Sequence, residues 1–201
     1  DTDLGHATKR FLKTDAMSDT VDQVNPIANA AVGRKITQLG KESGTLSKEA
    51  ARGAFDNRNL HISQFGRIDP VETPESGKIG FQSHLAQSAI IKNGTITAKY
   101  LKVTDGTAVD TAANTVELGT VDEKNKVIAF YDTRYLNRSG NKITLRKVQI
   151  PVRVNGVEQM ASSSRVTHID VAPQNLFGEV SNMIPFVNHD DGNRVLMGAN
   201  M

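Results

Sequence analysis

In the stretch Ala89–Lys99, AIIKNGTITAK, two runs of strand-forming residues, Ala89–Lys92 and Thr95–Lys99, flank Asn93-Gly94. Asn-Gly between such runs is a strong signal for a type I′ hairpin, because both central residues of that turn need positive φ. Period-two alternation continues downstream. Val116–Val121, Lys126–Tyr131, Ile143–Ile150 and Val152–Val154 read as strands, and turns are expected at Glu123–Asn125, Asn137–Asn141 and Asn155-Gly156. Residues 86–170 are therefore expected to form a mostly antiparallel β module.

Upstream the pattern changes. Leu4, Ala7, Phe11, Leu12 and Met17 recur at helical spacing, which predicts an amphipathic helix over 6–20 with a break near Asp15–Asp19. Asn25-Pro26 is a helix start, with Asn as the cap and Pro at the first position. That helix is expected to run to Leu39 and stop at Gly40, its tail carrying Arg34 and Lys35 near the negative end of the dipole. Residues 40–60 read as a polar, Gly-containing loop that admits a helical turn around Lys48–Ala51. Between 61 and 84, Pro70, Pro74, Gly66, Gly77 and Gly80 forbid a long regular element. Downstream, Asn175–Met201 is mixed, with a helix expected around Leu176–Met183. The fold class is α+β: a mixed helical and irregular segment at 1–85, the inserted β-rich module at 86–170, and a return to the first body at 171–201.

Composition sets bounds. The 201 residues carry 24 Lys+Arg against 22 Asp+Glu, a net charge of +2 that gives no bulk argument for nucleic acid. With no cysteine, disulfides, a thiol nucleophile and Cys-ligated zinc are excluded. No run of 18 apolar residues is present, so no membrane span is expected. The start, Asp1-Thr2-Asp3, is neither an initiator Met nor a signal peptide, which reads as a processed chain or a piece of a longer one.

Three strings carry chemistry. GRIDPVETPESGKIG (Gly66–Gly80) sets Arg67, Asp69, Glu72, Glu75 and Lys78 on a backbone constrained by prolines and glycines. It reads either as a surface loop with scattered charge or as a rigid scaffold aiming charges at a ligand. IPFVNHDDGNRVLMGANM (Ile184–Met201) places His189, Asp190 and Asp191 together, but without a partner at metal-ligand spacing; an Asp pair before Gly more often marks a turn or cap. Arg194 after that turn suits a phosphate or a carboxylate. DQVNPIANAAVGRKITQLG (Asp22–Gly40) is by itself a capped helix with a basic end.

In this order the three strings resemble the β subunit, the second-largest subunit, of bacterial-type multisubunit DNA-directed RNA polymerases. That family carries DQxNPLxxxxHxRRxSxLGPGG, then GRxCPIETPEGPNIG, then, after an inserted lobe, IPFLEHDDxNRALMGxNM. Here Phe11-Leu12, Asp22-Gln23, Asn25-Pro26, Arg34-Lys35, Leu39-Gly40, Gly66-Arg67, Pro70, Glu72–Glu75 and Ile79-Gly80 match in register. So do Ile184–Phe186, His189–Asp191, Asn193-Arg194, Leu196–Gly198 and Asn200-Met201, and Lys102–Gly106 matches a strand and turn after the second motif.

The resemblance implies roles. The first segment forms the wall beside the RNA–DNA hybrid where rifamycins bind, here Asp19, Asp22, Gln23, Val32, Arg34 and Thr37. Gly40–Phe55 resembles the fork loop. Glu75 is expected near the nascent RNA or the incoming nucleotide, with Arg67 and Glu72 as scaffold. Arg194 matches an arginine that holds the NTP triphosphate, Asp191 its orienting partner, and Asn200 faces the RNA. The reaction implied is nucleotidyl transfer by two Mg2+ ions, in which the RNA 3′ hydroxyl attacks the α-phosphorus and pyrophosphate leaves. The family holds the catalytic Mg2+ on an NADFDGD aspartate triad of the β′-type largest subunit, a motif absent here. Catalysis would therefore need that subunit, the remaining β segments, DNA template, nascent RNA and NTPs, in the bacterial or phage-host cytoplasm.

Several positions depart from the pattern. Asp69 stands for the usual Cys, Ser76-Gly77-Lys78 for Gly-Pro-Asn, Lys41-Glu42-Ser43 for Pro-Gly-Gly, Val32 for His, Thr37 for Ser, and Asp19 for Gln. With the short inserted lobe they suggest a divergent polymerase, such as one of a large bacteriophage with a split β subunit, and because Val32 and Asp19 cannot make the usual hydrogen bonds that polymerase is expected to resist rifampicin. The alternatives are a non-catalytic β-like module that binds nucleic acid or a partner, and a β-rich interaction module with a helical arm.

Overall fold

The computed structural model describes residues 2–14, 21, 23–39, 53–146 and 148–201. The expected features at Asp19, Asp22 and Lys48–Ala51, and the bulk of the Gly40–Phe55 loop, lie outside the described residues.

The chain is α+β. Helix α1 (Thr2–Thr14) starts earlier than its periodicity suggests and leaves Leu4, Phe11 and Leu12 exposed. Helix α2 (Pro26–Val32) begins as the sequence dictates: Asn25 Oδ1 accepts from Ala28 N at 2.6 Å, and Pro26 occupies the first turn. Its end does not follow the sequence reading. Instead of running to Leu39 the helix stops at Val32, and Lys35–Thr37 form strand β1, paired antiparallel with β2 (Gln82–His84). β-Branched Ile36 and Thr37 suit a strand, and Ile36 packs against Leu85, Ala86 and Ala89. Arg34 and Lys35 are thus beyond the helix, and the dipole argument does not apply to them.

Residues 53–81 contain only short 3-10 turns, at Asp56–Arg58 and Ile62–Gln64, as their prolines and glycines require. Ten strands then form one sheet. They are β3 (Ile90–Lys92), β4 (Thr95–Thr104), β5 (Thr107–Val109), β6 (Thr115–Leu118), β7 (Val127–Ala129), β8 (Leu136–Ser139), β9 (Lys142–Leu145), β10 (Gln149–Val154), β11 (Val157–Ser162) and β12 (His168–Asp170). The pairings are antiparallel except β12 with β7. Long β4 is the hub, bonded to β3, β6, β12 and β5. The β3–β4 turn has Asn93 at φ 50° and Gly94 at φ 73°, the two positive values a type I′ turn needs, and Asn155-Gly156 repeats the pattern between β10 and β11. Leu101, Ile143, Ile150, Val152 and Ile169 are fully buried at the centre.

Two strand readings change. The Ile143–Ile150 run is divided between β9, which ends at Leu145, and β10, which begins at Gln149, and Asn137–Ser139, expected inside the Asn137–Asn141 turn, belong to the terminal strand β8. β8 buries only Leu136, so its polar edge residues carry no alternation to read. The helix expected over Leu176–Met183 is also broken, into a 3-10 turn at Pro173–Leu176 and a single turn α3 (Glu179–Asn182). Phe177 and Gly178 between them are extended. The chain ends in α4 (Gly192–Asn200), with Asp191 at its N-cap.

Candidate functional site

Arg67 is 3% exposed and each of its three guanidinium nitrogens donates. Nε donates to Ile96 O (3.1 Å), Nη1 to Ser63 O (3.0 Å), and Nη2 to both Leu118 O (2.9 Å) and Glu123 Oε1 (2.5 Å). Glu123 also accepts from the Tyr100 hydroxyl at 2.5 Å, and Arg153 Nη2 donates to the Tyr100 oxygen at 2.9 Å. The Arg153 guanidinium lies 4.6 Å from the Phe65 ring centroid. Burial raises the Tyr100 hydroxyl pKa. Asp170, in the same core, is pushed up to about 7 by burial and by Glu123, against the pull of Arg153. This network fastens the Gly66–Pro70 stretch to the sheet.

Two residues further on, Asp69 fastens the same stretch to the C-terminal segment. Its Oδ1 accepts from Val71 N and Glu72 N (2.8 and 3.2 Å), and its Oδ2 from Gly178 N and Ser181 Oγ (2.7 and 2.6 Å). Glu72, 4% exposed, lies beside it. Burial and then the charges of Asp69 and Glu179 push its carboxyl up to about 7. His84 Nδ1 stands 3.5 Å from Glu72 Oε1, and burial lowers the His84 pKa.

The three motifs meet around one cleft of about 500 Å3. Its lining includes Asn25, Ala28 and Val32 from the first motif, Glu72 and Pro74 from the second, Ile184, Gly198 and Asn200 from the third, and His84 of β2. Asn200 Nδ2 donates to Thr73 O at 2.8 Å, closing α4 onto the second motif. Glu75 stands exposed on the neighbouring loop. Arg58 braces that loop, donating to Ile79 O (2.7 Å) and Gly77 O (3.0 Å) while its guanidinium stacks 4.3 Å over Phe81.

Other sequence-predicted residues fall differently. Arg194 is exposed and its Nη1 lies 3.4 Å from Met197 Sδ. Asp191, expected to orient it, instead caps α4 with its backbone, accepting from Val195 N at 3.0 Å; among the described residues no ion pair joins the two. Arg34 is turned into the chain, with Nη2 donating to Ala86 O at 2.5 Å and Nε 3.7 Å from Glu179 Oε1. Gln23 and Thr37 are exposed, and half-buried Val32 faces the cleft. His189, Asp190 and Asp191 are exposed, and among the described residues no group of three or more His, Asp or Glu is placed to hold a metal ion.

Sequence reading missed Glu123, Tyr100, Arg153, Asp170, Ser181 and Arg58. One signal was present: Arg153 interrupts the apolar strand Ile150-Pro151-Val152-Arg153-Val154, where a charge needs a buried partner. Asp69 was visible as one of the charges of the Gly66–Gly80 string and as a departure from a family pattern, but its partners were not.

Residues 19–91 match the family model described as RNA polymerase Rpb2, domain 3. The chain is 37% identical over 196 residues to the DNA-directed RNA polymerase subunit beta of Borrelia hermsii (strain HS1 / DAH), an alignment that covers 97% of this chain and 16% of that relative. The chain thus spans about one-sixth of the length of the curated relative it matches. Both matches support a β-type RNA polymerase fragment, and along nearly its whole length the chain is similar to a segment of that subunit.

Proposed function

We propose that this chain serves as part of the β-type subunit of a DNA-directed RNA polymerase, and that it contacts the RNA–DNA hybrid and the incoming NTP during template-directed RNA synthesis. The observation that carries this reading is the meeting of three sequence-distant motifs at one cleft, closed by the Asn200–Thr73 hydrogen bond. A module retained only as a docking surface has no need for that convergence.

Arg194 offers a rigid fork of donors that stays charged, suited to triphosphate oxygens, and it is not spent on an internal carboxylate among the described residues. Glu75 on the adjoining loop would face the nascent RNA or the nucleotide. Arg67 and Glu72 act as scaffold. The face of α2 and β1, with Gln23, Val32 and Thr37, would form the wall along the hybrid, together with Asp19 and Asp22. Arg34 would support that wall through its backbone contacts. Among the described residues no group of acidic side chains is placed to hold a magnesium ion, and the catalytic Mg2+ would be held by a β′-type largest subunit. DNA template, RNA, NTPs and the remaining β segments complete the assembly, in the cytoplasm.

The test is Arg194→Ala in the assembled polymerase. Apparent KM for NTP should rise and kcat fall, with kcat/KM down roughly 10- to 100-fold for the loss of a charge-assisted phosphate contact, while promoter DNA binding persists. Unchanged NTP kinetics would remove Arg194 from the nucleotide contact.

A further inference from the structure

Helix α3 has no cap of its own. It is a single turn whose N-cap residue is Gly178, without a side chain to accept its first N–H groups. The acceptor comes from 109 residues away: Asp69 Oδ2 takes the Gly178 N–H at 2.7 Å and the Ser181 hydroxyl at 2.6 Å. Meanwhile Oδ1 closes the turn after Pro70 through Val71 N and Glu72 N. Asp69 is 2% exposed and Ser181 is fully buried, so no water competes for these bonds. Gly178 leaves room for the approach, since a Cβ there would lie 2.9 Å from both Asp69 Oδ2 and Glu72 Oε2 and would push the carboxylates away.

The Asp69–Thr73 loop is thus gripped twice by the C-terminal segment, by α3 at Asp69 and by Asn200 of α4 at Thr73. Arg194 lies on the chain between those two grips. So does Phe186, a non-glycine residue at φ 56°, a strained value that the surrounding contacts must hold. The family pattern has Cys at position 69, which offers one weak acceptor in place of two carboxylate oxygens. This chain has changed the chemistry of the joint.

We propose that Asp69 is a positioning residue for nucleotide binding: it locks the segment bearing Arg194 against the loop bearing Glu75, so that the two charges keep a fixed separation. This rests on the nucleotide-contact reading of Arg194. Asp69→Asn keeps the shape but turns one oxygen into a donor, which must face either Gly178 N–H or the Val71 and Glu72 N–H groups. Ser181→Ala removes one bond of the four and is the milder variant.

The experiment is NTP kinetics on the full polymerase carrying Asp69→Asn, Ser181→Ala, Arg194→Ala and the Asp69→Asn/Arg194→Ala pair. Asp69→Asn should raise KM for NTP roughly 3- to 10-fold, the loss of one positioning hydrogen bond, with DNA binding unchanged. Ser181→Ala should move KM the same way by less. The pair should be no worse than Arg194→Ala alone, because Asp69 acts through Arg194. A KM unchanged in Asp69→Asn, or effects that multiply in the pair, would overturn the proposal. Should Asp69→Asn block assembly, Ser181→Ala decides: an unmoved KM there also overturns it. An unmoved KM in Arg194→Ala removes the nucleotide reading itself, whereas a raised KM there with none in Asp69→Asn removes only the role of Asp69.

Discussion

Arg67 and Glu123, 56 residues apart, meet at 2.5 Å in the interior, and this contact joins the Gly66–Gly80 motif to the ten-stranded sheet. Glu123 sits under two guanidinium groups and a tyrosine hydroxyl, with Arg153 3.6 Å away. Arg67 has four acceptors in fixed directions, which a lysine cannot reach together.

Arg67→Ala should therefore lower stability by about 3–5 kcal/mol, because Glu123 and three carbonyl groups lose a buried donor. Arg67→Lys should recover less than half of that. Denaturant unfolding of the two variants against the parent chain measures both; a loss under 1 kcal/mol for the alanine variant would mean that Arg153 alone satisfies Glu123.

Glu72 makes stability depend on pH in a defined direction. Its carboxyl is raised from 4.5 to about 7, so the folded chain keeps a proton that the unfolded chain has released. Folding is favoured below about pH 4.5, and that contribution is lost as pH rises through about 7. Asp170, raised from 3.8 to about 7, acts in the same direction. Glu72→Gln should stabilise the chain more at pH 8 than at pH 5, by a difference on the order of 2 kcal/mol. Thermal unfolding at the two pH values measures it, and an equal effect at both would show that Glu72 does not titrate in this window.

Gly80 lies at φ +75°, and a Cβ there would fall 2.8 Å from Arg58 Cα and O. Gly80→Ala should cost about 2 kcal/mol or more and release the Arg58 brace on the Gly77–Ile79 carbonyls. Hydrogen exchange of residues 55–60 and 76–81 should accelerate in this variant. Exchange as slow as in the parent would place the tolerance in a backbone shift.

On the polymerase reading proposed above, rifampicin should fail to inhibit the assembled enzyme at concentrations that stop an ordinary bacterial one. Val32 has no hydrogen-bonding group, and Arg34 is committed to the Ala86 carbonyl and Glu179. A transcription assay with and without the drug decides; full inhibition would mean the drug binds without these two side chains.

Strands β3, β4, β6 and β7 and the tight hairpins were legible in the sequence because alternation and Asn-Gly are local signals, the turns being realised at Asn93-Gly94 and Asn155-Gly156. The cap at Asn25-Pro26 was legible for the same reason. The end of α2 was not, since only pairing with Gln82–His84 makes Lys35–Thr37 a strand. Nor was Asp69, whose partners at Gly178 and Ser181 have no sequence proximity and no special pattern. The buried ionic network behaves alike: Arg153 advertised a partner, but choosing Glu123 among the acidic residues of the 121–126 turn needs the fold.

Native mass spectrometry of the assembly recovered through this chain tests its place in a polymerase most directly. The expected result is a stoichiometric complex containing further β-type segments and a largest subunit with the aspartate triad. Recovery of the chain as a monomer, with no such subunit under conditions that preserve the assembly, would contradict it.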